Sequence, residues 1–193
     1  LDGSDVGLLS SNEAINGISF TPAGRLVITT LGGATVPGPG GQSFAVLGNT
    51  MLLFQPNTLG TGTSGYWELF LDGNAFGLAN NRISAQWINP NDGHVYFTPR
   101  SNVTIDGQTF KPSDIVRCEP LNGGPITGCA LSLYWSGTTY SANLKIESLD
   151  MGQGLPFEPP AGSITIVKHV TDGSGSFNFN GDPKTALAAL EHS

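Results

Sequence analysis

Apolar residues of this chain come in short runs separated by polar and turn-forming residues, and no window of 11 or more residues before the tail shows the three-to-four-residue spacing of a helix. In the middle of the chain these stretches are residues 67–71, 82–88, 94–98 and 114–118. They are rich in β-branched and aromatic residues and are bounded by turn-forming residues, as is typical of strands. The pattern therefore predicts an all-β protein.

A phrase near the start of the chain recurs after 70 residues. Residues 1–8 read Leu-Asp-Gly-Ser-Asp-Val-Gly-Leu, and residues 71–78 keep five of these eight positions. Further landmarks align in the same order: residues 15–22 with 83–90, residues 24–29 with 93–98, and residues 51–56 with 115–120. We interpret the chain as tandem units of about 1–66 and 67–132, with a partial third unit over 133–154.

Each unit is predicted to form four short antiparallel strands, which in size and order resembles one blade of a β-propeller. A β-sandwich is the rival architecture, because short strands with frequent turns suit it equally well. Two units and a fraction cannot close a propeller of at least about four blades, so we expect that the chain is part of something larger, that the units pack in another way, or that chains assemble. The long connections 32–49 and 100–112 leave each unit at the same point and are expected to share one face.

Composition narrows the function classes. The chain has 193 residues, of which only 12% are charged, and 8 basic residues against 15 acidic ones give a net charge of −7. This balance argues against nucleic-acid binding. No apolar run approaches the roughly 18 residues of a membrane-spanning helix, so no membrane insertion is expected.

The two cysteines, Cys118 and Cys129, bracket a segment rich in Gly and Pro. Such a loop can fold back and bring two Cα atoms to the separation that a disulfide needs. The alternatives are two free thiols or a metal site, but no nearby His completes a zinc shell. The spacing favours a disulfide and hence an exported, extracellular protein.

The phrase at residues 1–8, followed by strand, turn, strand and an apolar strand ending in Pro, resembles a tandem repeat of large exported bacterial proteins. In that repeat Phe-Asp-Gly-Ser-Asp-Val-Gly-Leu precedes an acidic Asp-Ile-Asp-Ala-Leu stretch. The resemblance covers roughly residues 1–150 and implies a bacterial surface or secreted protein. Here the acidic stretch is replaced at 14–17 and 82–85, so no role of those acids is carried over.

Residues 155–162 indicate a Pro-rich linker. After it, Gly-Ser-Ile-Thr-Ile-Val-Lys at 162–168 and the segment 175–181 resemble the opening strands of a prealbumin-like surface domain. Residues 163–183 are therefore expected to be an incomplete domain of that kind. The end of the chain, within 184–193, resembles the remnant of an expression-vector tag and is left out of functional reasoning.

The first turn carries a candidate calcium site. Asp2 and Ser4 would supply oxygen ligands at loop positions one and three, and Glu13 stands at position twelve. The fifth position is Val6, however, and no helix flanks the loop. The alternative is an Asp-Gly turn in which the aspartate bonds its own backbone. No cofactor is otherwise expected.

Three aromatic residues are candidates for carbohydrate contact. Tyr66 and Trp67 follow a flexible loop rich in Gly, Ser and Thr, and Trp135 opens the third unit. Exposed rings beside small polar residues can stack on sugars, whereas core packing is the alternative role of each ring.

These observations favour a non-catalytic structural or adhesive module of a bacterial cell-surface or secreted protein. Two alternatives are a carbohydrate-binding module and a calcium-stabilised repeat. A fragment of a secreted hydrolase is a further alternative, although no catalytic motif is present. The strand containing Ile164, Ile166 and Lys168 has high β-propensity and could pair with a second copy, so self-assembly by strand addition is also expected.

Overall fold

The structure is a computed structural model that describes residues 3–79, 81–139 and 144–152. All of these belong to the compact unit Leu1–Leu155. Their regular elements are β-strands and short 3₁₀ turns, which confirms the all-β prediction. The linker, the prealbumin-like segment, the assembly strand with Ile164, Ile166 and Lys168, and the terminal segment lie outside the described residues.

The first half of the chain forms one four-stranded antiparallel sheet with a small hairpin inserted. Its strands are β1 (Ile15–Phe20), β2 (Leu26–Thr30), β3 (Ala34–Pro37), β4 (Ser43–Val46), β5 (Thr50–Thr58) and β6 (Ser64–Asp72). The sheet order is β1-β2-β5-β6, and β3 pairs only with β4. The first sheet is thus a meander interrupted by the hairpin after its second strand.

The second half repeats this plan. Its strands are β7 (Ile83–Ile88), β8 (Val95–Pro99), β9 (Val103–Ile105), β10 (Gln108–Phe110), β11 (Asp114–Pro120) and β12 (Cys129–Ser136). The second sheet has the order β7-β8-β11-β12, and β9 pairs with β10 in a hairpin at the equivalent place. Both hairpins lie inside the long connections that the sequence singled out.

The sheet boundary differs from the expected unit boundary at 66. Residues 67–71 belong to β6 and pair with β5 of the first sheet, for example Trp67 opposite Phe54. The second sheet takes its fourth strand from β12. The repeated phrase starts at the end of β6 and forms the turn between sheets, so an alignment that starts from it assigns β6 to the wrong sheet.

The turns of the repeated phrase share a backbone conformation. Leu8 N donates to Gly3 O and Leu78 N donates to Gly73 O, each at 2.8 Å. Gly7 and Gly77 occupy the same place in these turns, with φ of 84° and 98°. Positive φ is strained for residues with a Cβ, which explains why glycine stands in both turns.

The two sheets stack face to face through apolar side chains. Buried residues of the first sheet, including Val27, Met51 and Leu53, form one cluster with residues of the second sheet, including Val95 and Phe97. A second cluster lies on the other side of the first sheet, beneath the β3–β4 hairpin and the first turn. It contains Val6, Ile28, Ala34, Val36, Val46, Leu52, Phe54 and Trp67.

Strands β1 and β7 lie side by side, but side chains join them instead of a backbone ladder. Asn16 Nδ2 donates to Ile83 O at 2.6 Å. Ile88 N donates to Ser19 Oγ at 2.9 Å, and Gln86 Nε2 reaches past β1 and donates to Val27 O of β2 at 3.1 Å. Three polar side chains therefore hold the seam between the sheets.

Candidate functional site

The outer side of the second sheet, which faces away from the first sheet, carries aromatic and charged side chains. In the strand register Trp87 lies opposite Tyr96, and Tyr96 lies opposite Arg117. These positions alternate with Val95 and Phe97, which point into the shared core. We call the surface formed by Trp87, Tyr96, Arg117 and Tyr134 the aromatic face.

The rings of the aromatic face form a row. The centroids of Trp87 and Tyr96 are 5.4 Å apart, and Tyr134 meets Tyr96 edge-on at 4.9 Å. Tyr96 is only 7% exposed, whereas Tyr134 is 56% exposed. Burial raises the pKa of Tyr96 above its ordinary value, and the Arg117 charge opposes this shift. The face thus has an anchored ring and an accessible ring next to it.

Charged groups border this row. Arg117 Nη2 lies 2.7 Å from Glu119 Oε1 and 3.0 Å from His94 Nδ1. Asp92 Oδ2 is 3.1 Å from the same Nδ1. Because arginine only donates, Nδ1 accepts from Arg117 in the tautomer that leaves Nδ1 without a proton, and it can donate to Asp92 only when it carries one. Rings beside such donors and acceptors can bind a partner that is partly apolar and partly polar.

The cysteine prediction is confirmed. Cys118 and Cys129 form a disulfide, with their Cα atoms 5.1 Å apart, that joins the neighbouring strands β11 and β12. The loop that the disulfide closes is shaped by Asn122, which donates to Pro125 O at 2.6 Å and accepts from Gly128 N at 3.2 Å.

The same loop also contacts the first sheet. Ile126 N donates to Phe70 O at 2.7 Å, and Asp72 N donates to Ile126 O at 2.9 Å. These bonds occupy backbone groups of β6, the outermost strand of its sheet, and Ile126 is buried in the shared core. We call residues 121–128 the latch loop, because it fastens the second sheet to the edge of the first.

The structure corrects the expectation that Trp67 contacts carbohydrate. Its side chain is fully buried, 4.9 Å from the Phe54 ring, and Nε1 donates to Val6 O at 2.8 Å. A ring enclosed in this way has no face for a sugar. Tyr66 and Trp135 are both half-buried, Tyr66 on β6 and Trp135 on β12 opposite Ile115. They lie on different sheets and do not form one site with Trp67.

The candidate calcium residues are placed as follows. Asp2 lies outside the described residues, and Ser4 is exposed in the first turn. Glu13 Oε2 accepts from Leu9 N and Ser10 N at 2.8 and 2.7 Å, and Oε1 accepts from Thr35 N at 3.1 Å.

These backbone donors lower the pKa of Glu13, the Thr35 bond most and the Leu9 and Ser10 bonds next. The carboxylate of Glu13 therefore joins the turn at Leu9 and Ser10 to strand β3 through Thr35. Within the described ranges no group of three or more His, Cys, Asp or Glu side chains is placed to hold a metal ion. In the second unit Asp72 Oδ1 accepts from Asn74 N at 3.0 Å, which is the self-bonded turn considered as the alternative.

Sequence reasoning missed the aromatic face. Tyr96 and Arg117 were inside predicted strands, and both stand at positions that alternate with core residues. That alternation was an available signal, but it needed the strand pairing β7-β8-β11-β12 to bring the residues together. Tyr134 lies on β12, which the sequence analysis divided at 133 and assigned in part to a third unit, whereas it is the fourth strand of the second sheet.

No family model matches this chain, and no curated protein or solved structure matches it either. Among the residues that the structure describes, no helix is long and apolar enough to span a membrane.

Proposed function

We propose that this chain is a non-catalytic structural or adhesive module of an exported bacterial protein, at the cell surface or secreted. The observation that carries the proposal is the latch loop, in which a disulfide between buried Cys118 and half-buried Cys129 anchors a segment that bonds the neighbouring sheet. Disulfides persist outside the reducing cytosol, where a protein also needs resistance to unfolding and proteolysis.

The energetic contribution of the disulfide supports this role. Closing a loop of this length restricts the unfolded chain and is worth roughly 3 kcal/mol. Since each 1.4 kcal/mol is about a tenfold change in an equilibrium, the unfolded population would fall by roughly a hundredfold. The low charge and the resemblance to repeats of exported bacterial proteins point to the same compartment.

The structural part is tested by proteolysis. The full chain and a Cys118→Ala/Cys129→Ala variant are exposed to a broad-specificity protease at equal concentration. We expect the oxidised chain to survive longer by up to roughly a hundredfold, because cleavage follows the opened population. Equal lifetimes would contradict the structural role of the latch loop.

The adhesive part of the proposal is tested with coated beads. We expect beads coated with the chain to be retained on glycoprotein surfaces more than beads coated with albumin, and equal retention would contradict adhesion.

A carbohydrate-binding module is the second candidate, and the aromatic face favours it. Tyr134 is accessible and has Arg117 and Glu119 within the same strand pair, so a ring and charged hydrogen-bonding groups converge. A glycan array with the wild type and Tyr134→Ala tests it, with Phe20→Ala, at an equally exposed aromatic residue of the first sheet, as the matched control. We expect Tyr134→Ala alone to lose binding, and unchanged binding by this variant would reject the candidate.

A further inference from the structure

The aromatic face of the second sheet can be compared with the equivalent face of the first sheet. On the first sheet Val27 and Leu53 lie opposite each other and are covered by the second sheet. In the aligned repeat their counterparts are Tyr96 and Arg117, which also lie opposite each other. The aromatic face is therefore the counterpart of a surface that a neighbouring sheet covers.

The chain after β12 begins the same arrangement a third time. Ile83 N, at the start of β7, donates to Gly48 O at 3.1 Å, and Ile146 N donates to Pro112 O at 3.0 Å. Leu149 then lines a groove of about 690 Å³ together with Trp87 and with Ile18 and Phe20 of β1. Trp87 lies on β7 and Tyr134 on β12, at the two edges of the second sheet, and Tyr134 stays 56% exposed.

The side of the first sheet that faces away from the second sheet shows the complementary gap, because Ile18 and Phe20 lie opposite Ile28 and Leu26 of the second cluster. Ile18 and Phe20 are 55% and 56% exposed on β1. Their counterparts in the repeat, Gln86 and Ile88, are buried against the first sheet. The β3–β4 hairpin covers the rest of this side of the first sheet, but it leaves Phe20 uncovered. We call the surface around Ile18 and Phe20 the leading face.

We propose that a second copy of this chain docks its leading face onto the aromatic face, continuing the stack of sheets head to tail. The contact would reproduce between chains the pairing that already joins the two sheets within one chain. It is heterologous, because each copy uses two different surfaces. Exposed aromatic and aliphatic side chains on both surfaces provide the apolar area that association needs. The inference deepens the proposed structural role by naming its partner, and it is separate from strand addition at Ile164–Lys168.

Two charge-introducing variants of the full chain test it. Phe20→Asp places a carboxylate on the leading face, and Tyr134→Asp places one on the aromatic face. Both residues are more than half exposed, so both variants are expected to fold, which circular dichroism and thermal unfolding verify. Leu121→Asp, at a 69% exposed apolar residue of the latch loop, is the matched control.

The readout is mass by light scattering over a series of concentrations. We expect the wild type and Leu121→Asp to rise above the chain mass of 20.1 kDa. Each of the other two variants alone is expected to associate at least about tenfold more weakly, because burying an unpaired charge costs more than 1.4 kcal/mol. An equimolar mixture of Phe20→Asp and Tyr134→Asp is expected to form a heterodimer, because each variant keeps the surface that the other lacks.

Three outcomes would overturn the inference. A wild type that stays monomeric throughout the series excludes self-docking, and glycan binding lost in Tyr134→Asp would then assign the aromatic face to sugars. If Phe20→Asp associates with itself as strongly as the wild type while Tyr134→Asp does not, two aromatic faces meet each other and the leading face is not involved. Association by both variants and by the mixture to the wild-type extent would place the contact elsewhere, as strand addition predicts. The protease test of the disulfide is independent of all three, so the structural role and the docking surface can fail separately.

Discussion

Ile126 and Leu71 form a parallel β-bridge between the latch loop and the last strand of the first sheet. Ile126 belongs to the loop closed by the disulfide, and Leu71 is fully buried in the core that both sheets share. The bridge covers backbone groups on β6 that would otherwise form an open sheet edge, a common site of unwanted pairing. The disulfide therefore acts on both sheets, although both cysteines belong to the second.

Removing the disulfide should loosen the contact between the sheets before either sheet unfolds. In the Cys118→Ala/Cys129→Ala variant we expect the free energy of unfolding to fall by roughly 3 kcal/mol, measured by urea denaturation. In hydrogen exchange, the amides of Ile126 and Asp72 should lose protection to a greater extent than the amides of β2. Uniform loss of protection across both sheets would contradict a local role of the latch loop.

Trp67 should be among the most costly residues to truncate. Trp67→Ala removes a fully buried ring and the hydrogen bond to Val6 O, and substitutions of this kind cost about 3–5 kcal/mol. Tyr66→Ala, at the half-buried neighbouring position, should cost less. Thermal or urea unfolding of the two variants checks the order, and a Trp67→Ala chain as stable as Tyr66→Ala would contradict the buried placement.

The ionisation of Glu13 should make the stability of the fold depend on pH in the acidic range. Its backbone hydrogen bonds lower its pKa in the folded chain below the unfolded value of about 4.3. The carboxylate therefore contributes stability in full above that value, and the contribution is lost as the pH falls through the folded pKa. We expect the difference in melting temperature between the wild type and Glu13→Gln to be constant near neutral pH and to shrink in acid. A difference independent of pH would show that ionisation of Glu13 is not involved.

The glycines of the repeated turn should not tolerate alanine. Gly77 has φ of 98°, and an added Cβ would lie 3.2 Å from Ile105 Cγ2. The backbone conformation alone costs about 1–2 kcal/mol for a residue with a Cβ. At Gly7 the Cβ would also come within 2.5 Å of Pro37 Cδ, so Gly7→Ala should cost more than Gly77→Ala.

Gly62 provides the matched control for both turns. It lies in a loop, and a Cβ there would meet nothing within 4 Å. Gly62→Ala should therefore leave the unfolding midpoint nearly unchanged. Equal losses in all three variants would show that the turn conformation does not decide the effect.

Local patterns in the sequence predicted the strands, because β-branched and aromatic content and bounding turn residues are properties of neighbouring positions. Residues 82–88 and 94–98 were predicted as strands and correspond to β7 and β8. The disulfide was also predictable, since Cys118 and Cys129 flank one flexible loop. These features depend on a few adjacent residues.

Partner choice between strands could not be predicted in the same way. For Trp67 the sequence left a surface role and a core role open, because its burial is decided partly by the first turn, where Val6 lies 61 positions away in sequence. The aromatic face needed three strands to be placed side by side before Tyr96, Arg117 and Tyr134 formed one surface. Such information is held in the sheet topology.

The seam between β1 and β7 has an evolutionary consequence. Asn16 and Ser19 join β1 to β7, and Gln86 joins β7 to β2, through side chains, so no strand ladder fixes β1 against β7. Substitution at these three positions can change the angle at which the two sheets meet, while the strand pairing of each sheet and the backbone bonds of the latch loop stay intact. A lineage could in this way adjust how one sheet packs on the next without inventing a new unit.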